Sequence, residues 1–130
     1  LGHGIGRIGC FLNGCCYGGA TQLPWGIHFP GLDPALAYHP TQLYALVVNL
    51  GLTGALAVAY LRPHRQGQIL TWFVGGYSLY RFLIEYLRVG VTARELAAGL
   101  TEAQWFSLLA MAAATAAWFW LQRRGKPAPE

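Results

Sequence analysis

Arg81 and Glu85 stand four residues apart inside an apolar run, so on a helix they share one face. Charged side chains within a membrane span cost about 2.5–3.5 kcal/mol each at its centre on insertion scales, and they mark functional-site candidates. Arg88 extends the row by about one more helical turn. The same residues could instead form an ion pair that locks one helix to another. Arg7 lies in an apolar, glycine-rich setting and there needs an anionic partner or a polar cavity. Snorkelling to the interface is the alternative, and Gly6 and Gly9 leave room for something to approach its backbone. His39-Pro40-Thr41-Gln42-Leu43-Tyr44 lies at the mouth of an apolar run. Pro40 suits a helix start, which presents His39, Gln42 and Tyr44 near that mouth. Tyr44 could also be an interface anchor, and His39 a hydrogen-bonded core residue. Two arginines in such a setting suit a phosphate group.

Two further patterns carry less. Gly4-Ile5-Gly6-Arg7-Ile8-Gly9 has the spaced glycines of a dinucleotide fingerprint, but no strand precedes it and no βαβ unit surrounds it. Small-residue helix packing in a membrane is the expectation there. Cys10, Cys15 and Cys16 lack the pair-of-pairs spacing of a zinc site, and adjacent cysteines chelate one ion poorly. Inert buried thiols are expected and no metal is assigned. Three cysteines, an odd number, give no complete disulfide framework.

The elements that must position these residues read as membrane spans. The chain of 130 residues is 55% hydrophobic and 11% charged, against roughly one-quarter charged in soluble domains. Charge-free or nearly charge-free runs occupy 43–61, 69–87 and 105–121. The first is roughly 28 Å long as a helix, enough for a hydrocarbon core. The first and third lack the polar face of a soluble amphipathic helix, and the Ala-rich stretch 110–117 suits close helix packing. The fold class expected is all-α and integral to a membrane. Transmembrane helices are expected over 41–62, 68–88 and 104–122, with a tail at 123–130. Residues 1–40 form a glycine-rich segment: the end of a packed helix, then an irregular loop around Pro24, Pro30, Pro34 and Pro40. The start at Leu1, with no Met and no signal peptide, reads as a cut chain.

Basic residues set the orientation. Arg62 and Arg65 lie in the 62–67 turn, and Arg123, Arg124 and Lys126 in the tail, two spans apart and so on one side. The loop from Arg88 to Gln104 balances Arg88 and Arg94 against Glu95 and Glu102. The positive-inside rule puts the turn and the C-terminus in the cytoplasm. Tyr44, Tyr60, Trp72, Tyr86, Trp105, Trp118 and Trp120 lie near span ends, as an aromatic belt requires. Arg7, His39, Arg81 and Glu85 would then converge near the outer leaflet, where a phospholipid headgroup lies. The net charge of +4 is spread singly and at span ends, so nucleic acid is not an expected partner.

Four motifs follow in order. They are Gly6-Arg7-Ile8-Gly9-Cys10-Phe11-Leu12-Asn13-Gly14-Cys15-Cys16-Tyr17-Gly18, Pro24-Trp25-Gly26 with Phe29-Pro30, the His39 to Tyr44 motif, and Gly76-Tyr77 through Arg81-Phe82-Leu83-Ile84-Glu85-Tyr86-Leu87-Arg88. Leu100-Thr101 with Gln104 and Ser107 then open the last span. The combination, over nearly the whole chain, resembles the prolipoprotein diacylglyceryl transferase family, in its C-terminal half.

The resemblance implies a bacterial inner-membrane enzyme of about seven spans. Such an enzyme moves the diacylglyceryl group of phosphatidylglycerol onto the lipobox cysteine of a prolipoprotein signal peptide, without a cofactor. It implies catalytic roles for Arg7, His39, Arg81 and Glu85. Asn13, Gly14, Gly18, Gln42, Tyr44 and Arg88 are the substrate-binding candidates. His39 could be a base or an orienting group. Some family members have Asn at Cys10, Glu at Cys15 and an acid at Ala45. The family's N-terminal half, with a His-Gly-Gly motif and a proposed base, lies outside this chain, so activity is not expected of these residues alone. The alternative function is a non-catalytic phospholipid-binding module.

Overall fold

The computed structural model describes residues 1–88, 95–97 and 99–123. Four helices dominate: α1 (Gly2–Leu12), α2 (Thr41–Tyr60), α3 (Gln68–Glu85) and α4 (Glu102–Arg123). Two small antiparallel pairs join them, β1 (Ala20–Thr21) with β2 (Ala37–Tyr38), and β3 (Glu95–Ala97) with β4 (Leu100–Thr101). Arg94 and residues 124–130, with Arg124 and Lys126, lie outside the described residues.

Burial is inverted relative to a soluble domain. Thr41, Gln42, Asn49, Ser78, Glu85, Thr101, Gln104 and Ser107 are buried, whereas Val47, Val58, Leu70, Phe73, Leu83, Phe106 and Phe119 are exposed. In water that surface would be an uncovered apolar patch. In hydrocarbon it is the expected outside, and the polar groups must find partners within. Helices α2 and α4 are long and apolar enough to cross a membrane. Helix α3 does not meet that standard of apolarity. It carries Arg81 and Glu85 and opens on Gln68. Tyr60, Trp72, Tyr86, Trp105 and Trp120, all expected in the aromatic belt, are exposed at or near helix ends. Tyr44 is half-buried and turned to protein partners instead.

Small residues set the helix contacts. A Cβ on Gly75 would lie 3.9 Å from the Ala114 Cβ, on the α3–α4 side. One on Gly76 would lie 3.0 Å from Leu52 Cδ1, on the α2 side. Adjacent glycines thus let α3 approach both neighbours, as small residues do in membrane bundles. In α1 only Gly4 plays this part, against Asn49 and Leu46; Gly6 and Gly9 face open space. The expectation of packing for the spaced glycines at 4, 6 and 9 therefore holds at one of the three.

The segment between α1 and α2 is less irregular than its prolines suggest. Strands β1 and β2 pair, Ile27 bridges Tyr38, and Tyr17 stacks on Phe29 at 5.4 Å with Phe11 and Tyr38 edge-on. Two-residue strands carry no hydrophobic period, so the sequence pattern could not reveal them. Helix α4 starts at Glu102, two residues before the expected boundary.

At the far end of the bundle, Arg65 in the α2–α3 turn donates to the Leu121 carbonyl at 3.1 Å and to the Gln122 carbonyl at 2.9 Å. A cation at a helix C-terminus satisfies orphan carbonyls and opposes the macrodipole. The contact places the 62–67 turn and the end of α4 on one side. Replacing Arg65 with Ala should cost about 1 kcal/mol and lower the thermal midpoint of the parent protein in detergent. Arg65→Lys should recover part of the loss. An unchanged midpoint for Arg65→Ala would rule out this lock.

Candidate functional site

The end of α3 carries a buried charge. Glu85 is 3% exposed, at a helix C-terminus whose dipole disfavours an anion. Arg81 donates to its Oε2 from one turn back. Arg88 reaches the same oxygen at 3.7 Å. The chain tightens after Glu85, with Leu87 N–H donating to Ile84 and Arg88 N–H to Glu85 in i→i−3 bonds. Arg88 therefore lies beyond α3 rather than on a further α-helical turn, yet keeps its place beside the carboxylate.

The other carboxylate oxygen is held from the end of β4, just before α4. Thr101 Oγ1 donates to Glu85 Oε1 at 3.0 Å. The same hydroxyl accepts the Gln104 N–H at 3.3 Å, and Gln104 Oε1 accepts the Thr101 N–H at 3.0 Å. This is a capping box: the side chains of two residues three apart satisfy each other's free backbone donors at a helix start. Gln104 is fully buried and also donates to the Phe82 carbonyl at 3.4 Å. The start of α4 thus fixes the acid that orients Arg81.

Arg7 lies on α1. One guanidinium nitrogen is 3.2 Å from His3 Nε2, and His3 in turn is 3.4 Å from the Tyr77 hydroxyl on α3. Arg7 Nε is buried with no hydrogen-bond partner among the described residues. Arg7 and Arg81 both lie within electrostatic range of His3, and Arg7, Arg81 and Arg88 within that of Tyr80. Arg81 and Arg88 thus share the Glu85 carboxylate, and His3 and Tyr77 link Arg7 to the helix that carries Arg81.

Gly18 joins the first motif to the rest. A Cβ there would meet the Leu87 carbonyl at 2.7 Å, Thr41 Cγ2 at 2.8 Å and His39 Cβ at 2.9 Å. Its N–H donates to the His39 carbonyl at 2.9 Å, and Gly19 N–H to Leu87 at 2.7 Å. Gly14, at φ 67°, ends α1. Its N–H returns to Phe11 and that of Cys15 to Cys10, the paired closure of a Schellman motif. Gln42 donates to the Cys15 carbonyl at 2.6 Å and Thr41 to that of Cys16 at 2.7 Å, which ties this loop to α2. Gln42 is 1% exposed, and its Oε1 has no partner among the described residues. Asn13 is exposed, and its side chain hydrogen-bonds the Cys15 thiol.

His39 forms a separate group. Its Nδ1 is 3.2 Å from the Tyr44 hydroxyl, which accepts from Trp25 Nε1 at 2.8 Å. Among the described residues His39 hydrogen-bonds neither arginine, although Gly18 holds both His39 and Leu87 close. The structure therefore gathers Arg81, Glu85 and Arg88 directly, brings Arg7 beside them through His3 and Tyr77, and leaves His39 one segment away. Sequence reasoning gave His3 no part, and named Tyr77, Thr101 and Gln104 only within motifs, without a role. His3 stands four residues before Arg7, and Thr-x-x-Gln is a readable helix-start pattern.

The described residues are mostly helical, with two helices long and apolar enough to cross a membrane and an arginine–carboxylate cluster at one helix end, an arrangement consistent with an all-α membrane protein. The family model of prolipoprotein diacylglyceryl transferase matches residues 1–120, and the chain belongs to that family. Relatives named phosphatidylglycerol–prolipoprotein diacylglyceryl transferase include that of Bordetella parapertussis, 39% identical over 118 residues, covering 83% of this chain and 42% of the relative. That of Geobacter sulfurreducens is 40% identical over 89 residues, 68% of this chain and 34% of the relative. That of Polaromonas sp. is 33% identical over 136 residues, 98% of this chain and 48% of the relative. The chain spans less than half the length of these relatives.

Two substitutions test the scaffold of the site. Thr101→Val should leave Glu85 Oε1 unpaired and cost about 1–3 kcal/mol of stability, read as a lower thermal midpoint, with Thr101→Ser close to wild type. Gly18→Ala should cost about 1–3 kcal/mol through overpacking against a carbonyl that cannot yield freely. A Gly18→Ala protein as stable as wild type would refute that close approach.

Proposed function

We propose that the protein to which this chain belongs transfers the diacylglyceryl group of phosphatidylglycerol to the lipobox cysteine thiol of a prolipoprotein. The carrying observation is the buried Glu85 carboxylate with Arg81 and Arg88 on it, and Arg7 linked to the same helix through His3 and Tyr77, in a chain of this family. The names of the relatives supply the two substrates. In the reaction the substrate thiol loses its proton, the thiolate sulfur bonds to the terminal glyceryl carbon, and the carbon–oxygen bond to phosphate breaks. Glycerol phosphate leaves with that electron pair. Charge grows on phosphate oxygens, where preorganised guanidinium groups in a dry site act strongly. Arg7 and Arg81 take that role, and Glu85 orients Arg81. His39, with Tyr44 behind it, serves as base or orienting group. Asn13, Gly14, Gly18, Gln42, Tyr44 and Arg88 shape the surrounding site.

The location supports a lipid donor. An apolar groove of about 400 Å³ runs between α2 and α3 beside Tyr80, lined by Val48, Leu79, Leu83 and Leu87. It could take an acyl chain while the arginines take the phosphate. In this reading α3 crosses the bacterial inner membrane with α2 and α4, within a bundle of about seven spans. The site faces the outer leaflet and the C-terminus is cytoplasmic. No cofactor or nucleic acid is required.

In the intact parent protein, Arg7→Ala or Arg81→Ala should lower lipidation of a prolipoprotein by at least about 10²–10³-fold, the effect of losing a donor to developing charge. Activity near wild type in a phosphatidylglycerol-dependent assay would sink the assignment. If wild-type parent binds phosphatidylglycerol but never turns over, the non-catalytic lipid-binding module replaces the transferase. A C-terminal reporter active only outside the inner membrane would overturn the orientation.

A further inference from the structure

Three thiols remain outside the site described above. Cys10 lies in the last turn of α1, and Cys15 and Cys16 follow the Gly14 turn. The Schellman closure folds residue 15 back over residue 10. The Cys15 N–H donates to the Cys10 carbonyl at 3.1 Å, and the Cys15 thiol approaches the same oxygen at 3.6 Å. Cys16 adopts φ 64°, uncommon for a residue with a Cβ. The outcome is that all three Sγ atoms lie within 4.8 Å of one another. All three cysteines are free and half-buried, neither sealed in a core nor fully exposed.

Sequence spacing argues against chelation because adjacent cysteines hold one ion poorly. The fold changes that premise, since the helix end supplies a third sulfur from five residues back. We propose that Cys10, Cys15 and Cys16 form a trithiolate site for one soft, thiophilic metal ion, of the cuprous or zinc type. An all-sulfur donor set selects such ions over harder ones. With metal–sulfur bonds of about 2.3 Å, sulfurs sharing one ion sit roughly 4 Å apart, so the cluster needs only a small contraction. Cuprous ion is satisfied by three thiolates, and zinc would complete its shell with a water. The loop is already braced, because Gln42 and Thr41 hold the carbonyls of Cys15 and Cys16 from α2.

Binding exchanges protons for metal. Three thiols and one ion give a trithiolate complex and three protons, with no change of oxidation state. Around a divalent ion the complex carries one negative charge, and Arg88 lies within electrostatic range of Cys16 to offset it. Hydrogen bonds from Asn13, then from Cys16, hold the Cys15 thiol below its ordinary range, whereas burial pushes that of Cys16 up. Affinity falls as pH falls because protons compete with the ion for the sulfurs. The inference does not depend on the transferase reading.

The test uses the purified, reduced parent protein in detergent, loaded with Zn²⁺ or with Cu⁺ from a competing chelator, then desalted. One ion per chain should be retained, with a thiolate-to-metal absorption band for Cu⁺ and with thiols protected from a thiol-reactive dye until the ion is removed. Cys10→Ser, Cys15→Ser and Cys16→Ser should each weaken binding by more than the ~10–100-fold that loss of an outer-shell partner costs. Alkylating the wild-type thiols should abolish uptake, which decides the matter even if a variant fails to fold. Failure of the reduced wild-type protein to retain either ion would overturn the proposal. So would equal retention by the alkylated protein, or a native disulfide whose reduction restores no uptake.

Discussion

A buried carboxylate at the end of α3 governs this end of the molecule. Glu85 is an anion in an apolar bundle, placed where the helix dipole opposes it. Such a charge persists only if both oxygens are engaged. Arg81 and Arg88 supply opposite charge on one side, and Thr101 supplies a hydroxyl on the other. Each partner is thereby fixed as well. Arg81 gains a defined direction, the non-helical turn carrying Arg88 is drawn back over α3, and the start of α4 is tied to the end of α3.

The capping box at Thr101 and Gln104 serves two needs at once. A helix start must satisfy free N–H groups in any setting, and in hydrocarbon water cannot do so. Thr101 meets one of these needs by accepting from Gln104, and its remaining proton goes to Glu85. Gly18 performs a comparable junction through absence of a side chain. It lets the first motif, the His39 segment and the end of α3 meet within backbone hydrogen-bonding distance. The conformational freedom of Gly14 and the close approach at Gly18 are different demands, met by glycine for different reasons.

Much of the architecture is legible along the chain. The apolar runs at 43–61 and 69–87 overlie α2 and α3 to within two residues at each end, and that at 105–121 overlies α4 to within three. The i, i+4 spacing of Arg81 and Glu85 implies their ion pair without knowledge of the fold. The expectation that the 62–67 turn and the end of the last span share one side agrees with the Arg65 contact to Leu121 and Gln122. Less legible are contacts made by pieces too short to show a period. These include β1 with β2, the aromatic cluster around Phe29, and the tight turn after Glu85.

Hydrophobic run lengths and intrahelical spacing are local quantities, so the sequence by itself determined the helices, their apolar outer surface and the Arg81–Glu85 pair. Which separate segments meet is a long-range matter. Only the tertiary structure decided that Thr101 holds Glu85, that Gln42 holds the Cys15 loop, and that His39 turns to Tyr44 rather than to an arginine. The cations are therefore not a single row along one helix but a cluster drawn from α1, α3 and the turn beyond it. The physical reason is that buried polar groups must be satisfied by whatever the fold brings near, and for Glu85 and Gln42 those partners lie 16 and 27 residues away in the chain.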